Sequence, residues 1–74
     1  MSNKIKVKIR DQTIRLGQFL KLAQAVSSGG EAKIRIKGGE VKVNGSVELR
    51  RGAQLQPGDE VEIAGSFFVI VSGA

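Results

Sequence analysis

Lysine and arginine are the residue types whose number and placement in this sequence best suit a chemical role. Residues 1–51 carry all twelve of them with four acidic residues, whereas residues 52–74 carry three acidic residues and no cation. Ammonium and guanidinium groups bind phosphates, and a basic domain commonly binds a polyanion, of which nucleic acid is the most common. The charge distribution therefore favours polyanion binding, and the alternative is that the cations serve solubility alone.

Several residue types that carry enzyme chemistry are missing from the sequence. Cysteine and histidine are absent, which removes thiol catalysis, thiolate metal sites and the commonest acid–base group. The glycine pairs lack the Gly-Lys-Ser/Thr ending of a phosphate-binding loop, and the serines have no histidine to activate them. Asp59, Glu60 and Glu62 have ligands for a hard cation, although such a group is usually solvated. The composition thus predicts a protein that is not an enzyme and has no metal or cofactor.

The cations near the ends of the short predicted elements are the best candidates for binding, because a compact fold could gather them on one surface. These cations are Lys21, Lys33, Lys37, Lys42, Arg50 and Arg51. Ser28 and Asn44 add neutral hydrogen-bonding groups in the same stretch, and phosphates need both charge and exposed donors. Tyrosine and tryptophan are absent, so a base-stacking platform is not expected. If the polyanion is RNA, we expect recognition of shape, phosphates and 2′-hydroxyls.

The first part of the chain has one strand pattern and one helix pattern. Residues 4–10 alternate between charged and apolar types, which places Ile5, Val7 and Ile9 on one face of a strand and four cations on the other. The cations suit either an edge strand that resists pairing with other chains or a direct role in binding. Apolar residues at helical spacing then predict a helix that extends to the segment 27–30, namely Leu16, Phe19, Leu20, Ala23 and Val26.

The segment 33–37 is compatible with a strand or a helix. Its alternation of charged and apolar residues is typical of a strand, but a Ser-x-x-Glu capping box at 28–31 precedes it and a glycine pair follows it. The capping box and the glycine pair favour the helix. Lys33 and Lys37 share a face in both structures, whereas Arg35 joins them only in a strand.

The rest of the chain has the pattern of short strands joined by tight turns. Asn44-Gly45 is a strong two-residue hairpin signal, and Pro57-Gly58 suits a turn in which glycine takes positive φ. Alternating apolar residues predict strands near 41–43, 47–49, 61–63 and 67–71. Neither a repeat nor a linker divides the sequence, which predicts one domain over residues 1–74. The longest strongly apolar run is too short for a signal peptide or a membrane span, so we expect a cytoplasmic location.

Four motifs in a fixed order resemble the RNA-binding domain named after ribosomal protein S-four. They are Arg15–Lys21, Ser28–Lys33, Gly39–Gly45 and Pro57–Val61, and the resemblance covers about residues 14–64. The Val-Lys-Val-Asn-Gly element, at its distance from the Glu-Ala-Lys element, is the more specific part. The Ser-Gly-Gly start of the second helix and the strand after Ala64-Gly65 are similar to the small stand-alone bacterial members, the YbcJ-like branch.

The resemblance implies an α+β fold, the αL motif, with two short helices packed on a small bent antiparallel-rich sheet. Its core would span about residues 14–64, with flanking strands at 4–10 and 67–71, and the segment 33–37 would be helical. Structured RNA, such as ribosomal RNA alone or in a ribonucleoprotein, would bind across the helix pair and the adjacent loops without a cofactor. The positions that the resemblance assigns to the RNA-facing side are Gln18, Lys21, Ser28, Lys33, Lys37, Lys42, Asn44, Arg50 and Arg51.

Two other functions are compatible with parts of the sequence. A first strand, a helix and a late Pro-Gly-Asp-Glu-Val-Glu-Ile element also resemble ubiquitin-like sulfur carriers of the β-grasp type. Those proteins act through a C-terminal Gly-Gly, whereas this chain ends in Gly73-Ala74, and a terminal methyl group fits poorly in a slot built for glycine. A basic adaptor that binds an acidic protein surface is the other alternative.

Overall fold

The computed structural model describes residues 4–73, which form two helices and a mixed β-sheet. The elements in chain order are β1 (Lys4–Ile9), β2 (Ile14–Arg15), α1 (Leu16–Leu22), α2 (Gly29–Lys37), β3 (Val41–Val43), β4 (Ser46–Val47), β5 (Gln54–Leu55), β6 (Glu60–Ile63) and β7 (Ser66–Ser72). This arrangement confirms the predicted α+β class. Neither helix within residues 4–73 is long and apolar enough to cross a membrane.

Five strands form the main sheet in the order β1-β7-β6-β3-β4, and β2 pairs separately with β5. β1 runs parallel to β7, while the β7–β6, β6–β3 and β3–β4 pairs are antiparallel. β1 therefore lies at an edge of the sheet, as the lysine-rich edge-strand interpretation predicts. The β2–β5 pair, which the sequence pattern does not indicate, joins Ile14 to Leu55 and Arg15 to Gln54.

The helices share one apolar core with a single face of the main sheet. Val61 and Ile63 of β6 are buried in this core, and the glutamates that alternate with them lie on the opposite face, which we call the outer face. The rings of Phe19 in α1 and Phe68 in β7 meet edge to face, with their centroids 6.3 Å apart. Burial of this kind stabilises the fold by about 25 cal/mol per Å² of apolar surface removed from water.

α1 is shorter than its apolar periodicity predicts, so the predicted helix through Val26 is wrong at its C-terminal end. The helix ends at Leu22, and Gln24 adopts a left-handed conformation with φ of 58°. The Gln24 amide donates to the Lys21 carbonyl at 3.0 Å and the Ala25 amide donates to the Leu20 carbonyl at 2.9 Å, which is the Schellman arrangement. A left-handed glutamine costs about 1–2 kcal/mol. Burial of Val26, which is 6% exposed although it lies outside the helix, helps to offset that cost.

α2 begins at a side-chain cap and ends at a glycine, which confirms the helical interpretation of the segment 33–37. The Ser28 hydroxyl oxygen accepts a hydrogen bond from the Glu31 amide at 3.1 Å. Gly39 has φ of 77°, and its amide donates to the Ile36 carbonyl at 3.1 Å. The glycine thus supplies the left-handed residue that ends the helix. Ser28 belongs to the start of α2 rather than to the end of α1.

The hairpin turn at Asn44-Gly45 is confirmed, but its return strand is shorter than predicted. The two turn residues have φ of 51° and 85°. β4 ends at Val47, and Leu49 lies outside the strand. These two apolar residues are 52% and 57% exposed, so they do not extend the core. The Glu48 amide still donates to the Val41 carbonyl of β3 at 3.0 Å, and the chain then continues to the residues that contact the start of α1.

A hydrogen-bonded glutamate at the start of α2 makes the stability of the protein depend on pH. The Glu31 carboxylate accepts hydrogen bonds from the Ser27 amide at 2.7 Å, from the Ser27 hydroxyl at 2.9 Å and from Nε of Arg35 at 3.3 Å. These bonds, that from the Ser27 amide foremost, hold the pKa of Glu31 below its usual value of 4.5. The stabilisation is therefore fully present above pH 4.5 and is lost as the pH falls through the lowered pKa of the folded state.

We expect Glu31→Gln to be less stable than the wild type at neutral pH, because it removes a charged carboxylate that the folded state favours. The difference between the two proteins should shrink as the pH falls below 4.5. Urea unfolding followed by circular dichroism, from neutral pH to about pH 3, measures this difference. If the difference in free energy of unfolding stays constant over the whole pH range, the charged Glu31 carboxylate is not the source of the stabilisation.

Candidate nucleic-acid interface

The start of α1 is closed by backbone carbonyls of a distant loop rather than by a side-chain cap. Arg15 occupies the N-cap position in an extended conformation, and its side chain makes no capping hydrogen bond. The amides of Leu16 and Gly17 instead donate to the carbonyls of Ala53 and Arg51, at 2.9 and 3.0 Å. Amides at a helix start need partners from outside the helix, so these bonds fix the loop on the first turn of α1.

Gly17 allows the loop formed by residues 51–53 to approach α1 closely. A Cβ atom at this position would lie 2.6 Å from Cγ of Arg51 and 3.2 Å from its Cδ. The Arg51 stem therefore lies directly against the helix backbone, while the residue as a whole remains exposed. Glycine inside a helix costs about 1 kcal/mol relative to alanine. Here the smaller residue permits a contact that holds an arginine beside α1.

A cleft of about 310 Å³ lies where α1, α2 and the 51–53 loop meet. We call it the α1–α2 cleft, and its lining residues are Arg15, Gly17, Gln18, Lys21, Gly29, Ala32, Arg51 and Gly52. This lining includes three cations and no acidic residue. Two of its glycines, Gly29 and Gly52, have open space where a Cβ atom would lie, so a ligand can approach the backbone there. The cleft thus combines positive charge, an amide side chain and accessible backbone, a combination that suits a chain of phosphates.

The three cations of the α1–α2 cleft are not neutralised by acidic side chains in the described part of the chain. Within residues 4–73, no ion pair joins Arg15, Lys21 or Arg51 to a carboxylate. A cleft lined by charges of one sign focuses their field and attracts ions of the opposite sign. An anion that enters the cleft would therefore meet a positive potential that no neighbouring acid cancels.

α2 continues this positive surface beyond the α1–α2 cleft. Gly29 lines the cleft, and Lys33 and Lys37 follow it at four-residue intervals, which places all three residues on one side of the helix. Both lysines are exposed, and neither forms an ion pair in the described part of the chain. The positive end of the α2 backbone dipole lies at Gly29. Ser28 uses its hydroxyl oxygen as the helix cap, and its hydroxyl hydrogen can still be donated to a ligand.

Arg50 differs from its neighbour Arg51 because an adjacent acid neutralises it. Its Nε and Nη2 atoms donate to the two carboxylate oxygens of Glu48 at 3.1 and 3.3 Å. These side-chain hydrogen bonds lower the pKa of Glu48 and raise the pKa of Arg50. Arg35 likewise pairs with two glutamates, at 3.3 and 3.2 Å. Arg35 and Arg50 therefore add little free positive charge to the surface.

Lys42 and Asn44 lie outside the lining of the α1–α2 cleft. Lys42 alternates with two valines that contact the core, so it lies on the outer face of the sheet, opposite the helices. The Asn44 side chain is bound within the fold, because its Nδ2 donates to Asp59 at 3.1 Å and its Oδ1 accepts from the Glu60 amide at 2.9 Å. The structure therefore does not bring these two predicted residues to the cleft.

The structure groups some of the predicted residues and adds one that the sequence reasoning missed. Gln18, Lys21 and Arg51 line one cleft, and Ser28 caps the helix whose first residue lines the same cleft. Arg15 also lines it but was not among the predicted site residues. The available signal was its place at the head of the first of the four motifs, directly before the helix that carries Gln18 and Lys21.

Asp59 and Glu60, two of the three acidic residues considered as cation ligands, make contacts within the fold. Within residues 4–73, no three His, Cys, Asp or Glu side chains are placed to hold a metal. Asp59 accepts hydrogen bonds from the Asn44 side chain at 3.1 Å and from the Gln56 amide at 2.9 Å. Glu60 pairs with Lys4 at 2.9 Å. These contacts hold the 56–59 turn and β1 in place.

Sequence comparisons relate this chain to proteins of one family. A family model described as the S4 domain matches residues 7–71. A Bacillus subtilis (strain 168) protein named probable ribosome maturation protein RlbA is 48% identical over 66 residues, which cover 86% of this chain and 93% of the relative. The putative RNA-binding protein YbcJ from Escherichia coli (strain K12) is 39% identical over 59 residues, which cover 80% of this chain and 84% of the relative.

Solved structures share the fold over much of this chain. The solution structure of YbcJ from E. coli, described as revealing an αL motif involved in RNA binding, matches with a TM-score of 0.72 and 36% identity. That match covers 96% of this chain and 91% of YbcJ. The crystal structure of the 30S ribosomal protein S4e from Thermoplasma acidophilum matches with a TM-score of 0.60 and 26% identity, over 78% of this chain and 31% of that protein. These matches confirm the expected αL fold.

The close contact between Gly17 and Arg51 leads to a prediction about stability. Gly17→Ala adds a Cβ atom 2.6 Å from Cγ of Arg51, so the Arg51 stem must move. We expect the displaced stem to pull the 51–53 loop away and break its two hydrogen bonds to α1, each worth about 1 kcal/mol, against a gain in helix propensity of about 1 kcal/mol. Urea unfolding should show that the free energy of unfolding falls by about 1 kcal/mol. Faster hydrogen exchange of the Leu16 amide should show that the change occurs at the start of α1.

Gly30→Ala in α2 is the matched control, because a Cβ atom there would meet the Ser28 hydroxyl oxygen at 3.8 Å, an ordinary contact. We expect this variant to be as stable as the wild type or more stable, by up to about 1 kcal/mol. Equal stabilisation by both alanines, with unchanged exchange at the Leu16 amide, would contradict the close contact between the loop and α1.

Proposed function

This chain belongs to the S4 domain family, and from that premise we propose that it is a non-catalytic RNA-binding protein whose ligand is structured RNA, ribosomal RNA foremost. The observation that carries the proposal is the α1–α2 cleft, where Arg15, Lys21 and Arg51 converge without an acidic residue in the lining. The names of two relatives, which refer to RNA binding and to ribosome maturation, support it. We extend the proposal to a cytoplasmic site of action, as expected from the sequence.

Neutralisation of backbone phosphates is the central interaction in the proposed complex. The guanidinium groups of Arg15 and Arg51 can each donate two parallel hydrogen bonds to a phosphate, and Lys21 adds a compact point charge. The Gln18 amide both donates and accepts hydrogen bonds, so it can bind a ribose 2′-hydroxyl beside those phosphates. Further phosphates along the same strand would meet the lysines on the adjoining side of α2. Affinity in this arrangement depends mainly on charge.

The positions of the aromatic rings favour recognition of RNA shape over recognition of bases. Phe19 and Phe68 pack against each other in the core and are 0% and 5% exposed. Phe67 lies on the outer face, beside Lys4 of the neighbouring strand. The lining of the α1–α2 cleft includes no aromatic side chain on which a base could stack. We therefore propose that the cleft binds the backbone of a folded or duplex RNA.

The affinity for RNA is expected to fall steeply as the salt concentration rises. If about six phosphates are contacted, release of their counterions gives a slope of roughly −4 to −5 for log K against log salt. Fluorescence anisotropy with a labelled hairpin from ribosomal RNA, between about 50 and 300 mM KCl, measures this slope. A nearly flat response would contradict phosphate neutralisation.

Arg51 and Arg50 provide a matched pair of variants, since they are adjacent, exposed and equally charged. We expect Arg51→Gln to weaken RNA binding about five- to tenfold, because an unpaired guanidinium is removed from the cleft. Arg50→Gln should weaken it by less than about twofold, because Arg50 does not line the cleft and its guanidinium is bound to Glu48. Titration of the same hairpin measures both affinities, and circular dichroism checks that both variants fold. An equal loss from both substitutions would show that total charge, rather than the cleft, determines binding.

The two alternative functions receive less support. The sulfur-carrier alternative is not favoured, because the S4 domain match spans residues 7–71 and includes both helices. Ala74, the terminal residue on which that alternative depends, lies outside the described residues. For the adaptor alternative, competition between poly-glutamate and the RNA hairpin is the discriminating measurement. We expect poly-glutamate to compete far more weakly than unlabelled RNA at the same charge concentration.

A further inference from the structure

A second cleft lies where β1 ends and the chain turns toward β2. We call it the β1-end cleft, and its volume is about 330 Å³. Its lining residues are Lys8, Ile9, Arg10, Asp11, Thr13, Ile14, Gln18 and Leu22. Two of these residues are cations and one is acidic. Neither cation belongs to the set of residues that the sequence assigned to RNA binding.

The two clefts meet along the exposed side of α1. Gln18 lines both of them, whereas Lys21 lines the α1–α2 cleft and Leu22 lines the β1-end cleft. The two residues of β2 also line different clefts. Arg15 lines the α1–α2 cleft, and Ile14 lines the β1-end cleft. The clefts therefore share a border at Gln18, and an extended ligand can run from one into the other.

The cations of the β1-end cleft are available to such a ligand. Lys8 and Arg10 are exposed, and no ion pair joins either of them to a carboxylate within residues 4–73. Lys4, at the other end of the same strand, is instead paired with Glu60 at 2.9 Å. Asp11 is the acidic residue of the lining. The balance of charge in the β1-end cleft is therefore positive, as it is in the α1–α2 cleft.

We propose that bound RNA runs from the α1–α2 cleft past Gln18 into the β1-end cleft, where Lys8 and Arg10 contact further phosphates. This inference rests on the proposed function and enlarges its binding surface. The described part of the molecule is 32 Å long. Because neighbouring phosphates of a nucleic-acid strand lie only a few ångströms apart, RNA that crosses α1 presents several phosphates to the protein. The ligand of the β1-end cleft is thus the phosphate backbone of the same RNA.

The competing explanation for the β1 cations is protection of an exposed sheet edge. That explanation predicts that substitution of Lys6 and substitution of Lys8 have the same effect on RNA affinity, because the two lysines lie two residues apart on the same face of an edge strand. The proposed RNA path separates them, since Lys8 lines the β1-end cleft and Lys6 does not. The two lysines therefore have the same charge, the same strand and the same face, which is the outer face. Lys8 borders the cleft because it lies next to the end of β1, whereas Lys6 lies farther along the strand.

The experiment compares Lys8→Gln, Arg10→Gln and Lys6→Gln in anisotropy titrations of a fluorescein-labelled RNA hairpin at several KCl concentrations. We expect Lys8→Gln and Arg10→Gln each to weaken binding about threefold and to reduce the magnitude of the salt slope by almost one. Lys6→Gln should have less than about half of this effect, because salt with a Debye length of about 8 Å screens charges outside the contact.

Substitution of Asp11 should change the RNA affinity in the opposite direction. Asp11→Asn removes the acidic charge from the β1-end cleft, and we expect it to strengthen binding about two- to threefold. Glu62→Gln is the control, because it makes the same charge change on the outer face, in register with Lys42. We expect the control to leave the affinity almost unchanged. Loss of folding cannot produce a gain in affinity, so this pair remains informative if the β1 substitutions lower stability.

Two results would overturn the extended RNA path. If Lys8→Gln matches Lys6→Gln and Asp11→Asn has no effect, while Arg51→Gln still weakens binding, the β1-end cleft takes no part and the proposed function stands. If Arg51→Gln has no effect either, the proposed function fails together with this inference. The Arg51 variant thus separates failure of the second cleft from failure of the whole proposal.

Discussion

The contact between the first turn of α1 and the 51–53 loop is the constraint on which the binding surface depends. The first amides of α1 have no side-chain cap, and they are satisfied by carbonyls from a segment far away in the sequence. Gly17 has no Cβ atom, and a Cβ atom there would clash with the stem of Arg51. The residues that follow the loop form β5, which pairs with β2 directly before α1. Arg51 is thereby placed beside a helix from which it is distant in the chain, and the α1–α2 cleft forms at that junction.

Pairing of charges, more than their number, determines where the surface is positive. Arg35 and Arg50 have acidic neighbours in the sequence, and they form ion pairs that cancel their charge. The cations that line the two clefts form no ion pair within residues 4–73. Exposed ion pairs contribute little to stability. The main effect of these acids is therefore to cancel the charge of Arg35 and Arg50, whereas the cations of the two clefts and the two lysines on the adjoining side of α2 stay unpaired within residues 4–73.

Residues that are neighbours in the sequence predict the helix cap and the hairpin turn of this fold. The predictions are less complete where contacts between distant residues determine the structure. The Ser28 cap and the Asn44-Gly45 turn act through neighbouring residues, so the sequence alone is sufficient to predict them. The end of α1 depends on Gln24 in a left-handed conformation, which glutamine does not signal. The Asn44 side chain is held by a residue 15 positions away, a contact that the hairpin motif does not reveal. Arg15 stands at the head of the first motif, but the cleft that it lines is completed by the distant 51–53 loop, a contact that the motif alone does not reveal.

The proposed complex places RNA against the exposed side of α1 and in its two adjoining clefts. An NMR titration of isotope-labelled protein with an RNA hairpin locates the bound RNA, because each backbone amide reports its own surroundings. The largest chemical-shift changes should occur at Gln18, Lys21, Gly29 and Gly52, with small changes at outer-face residues such as Glu62. If the largest changes fall instead on the outer face of β3 and β6, away from the end of β1, this placement of the RNA is contradicted.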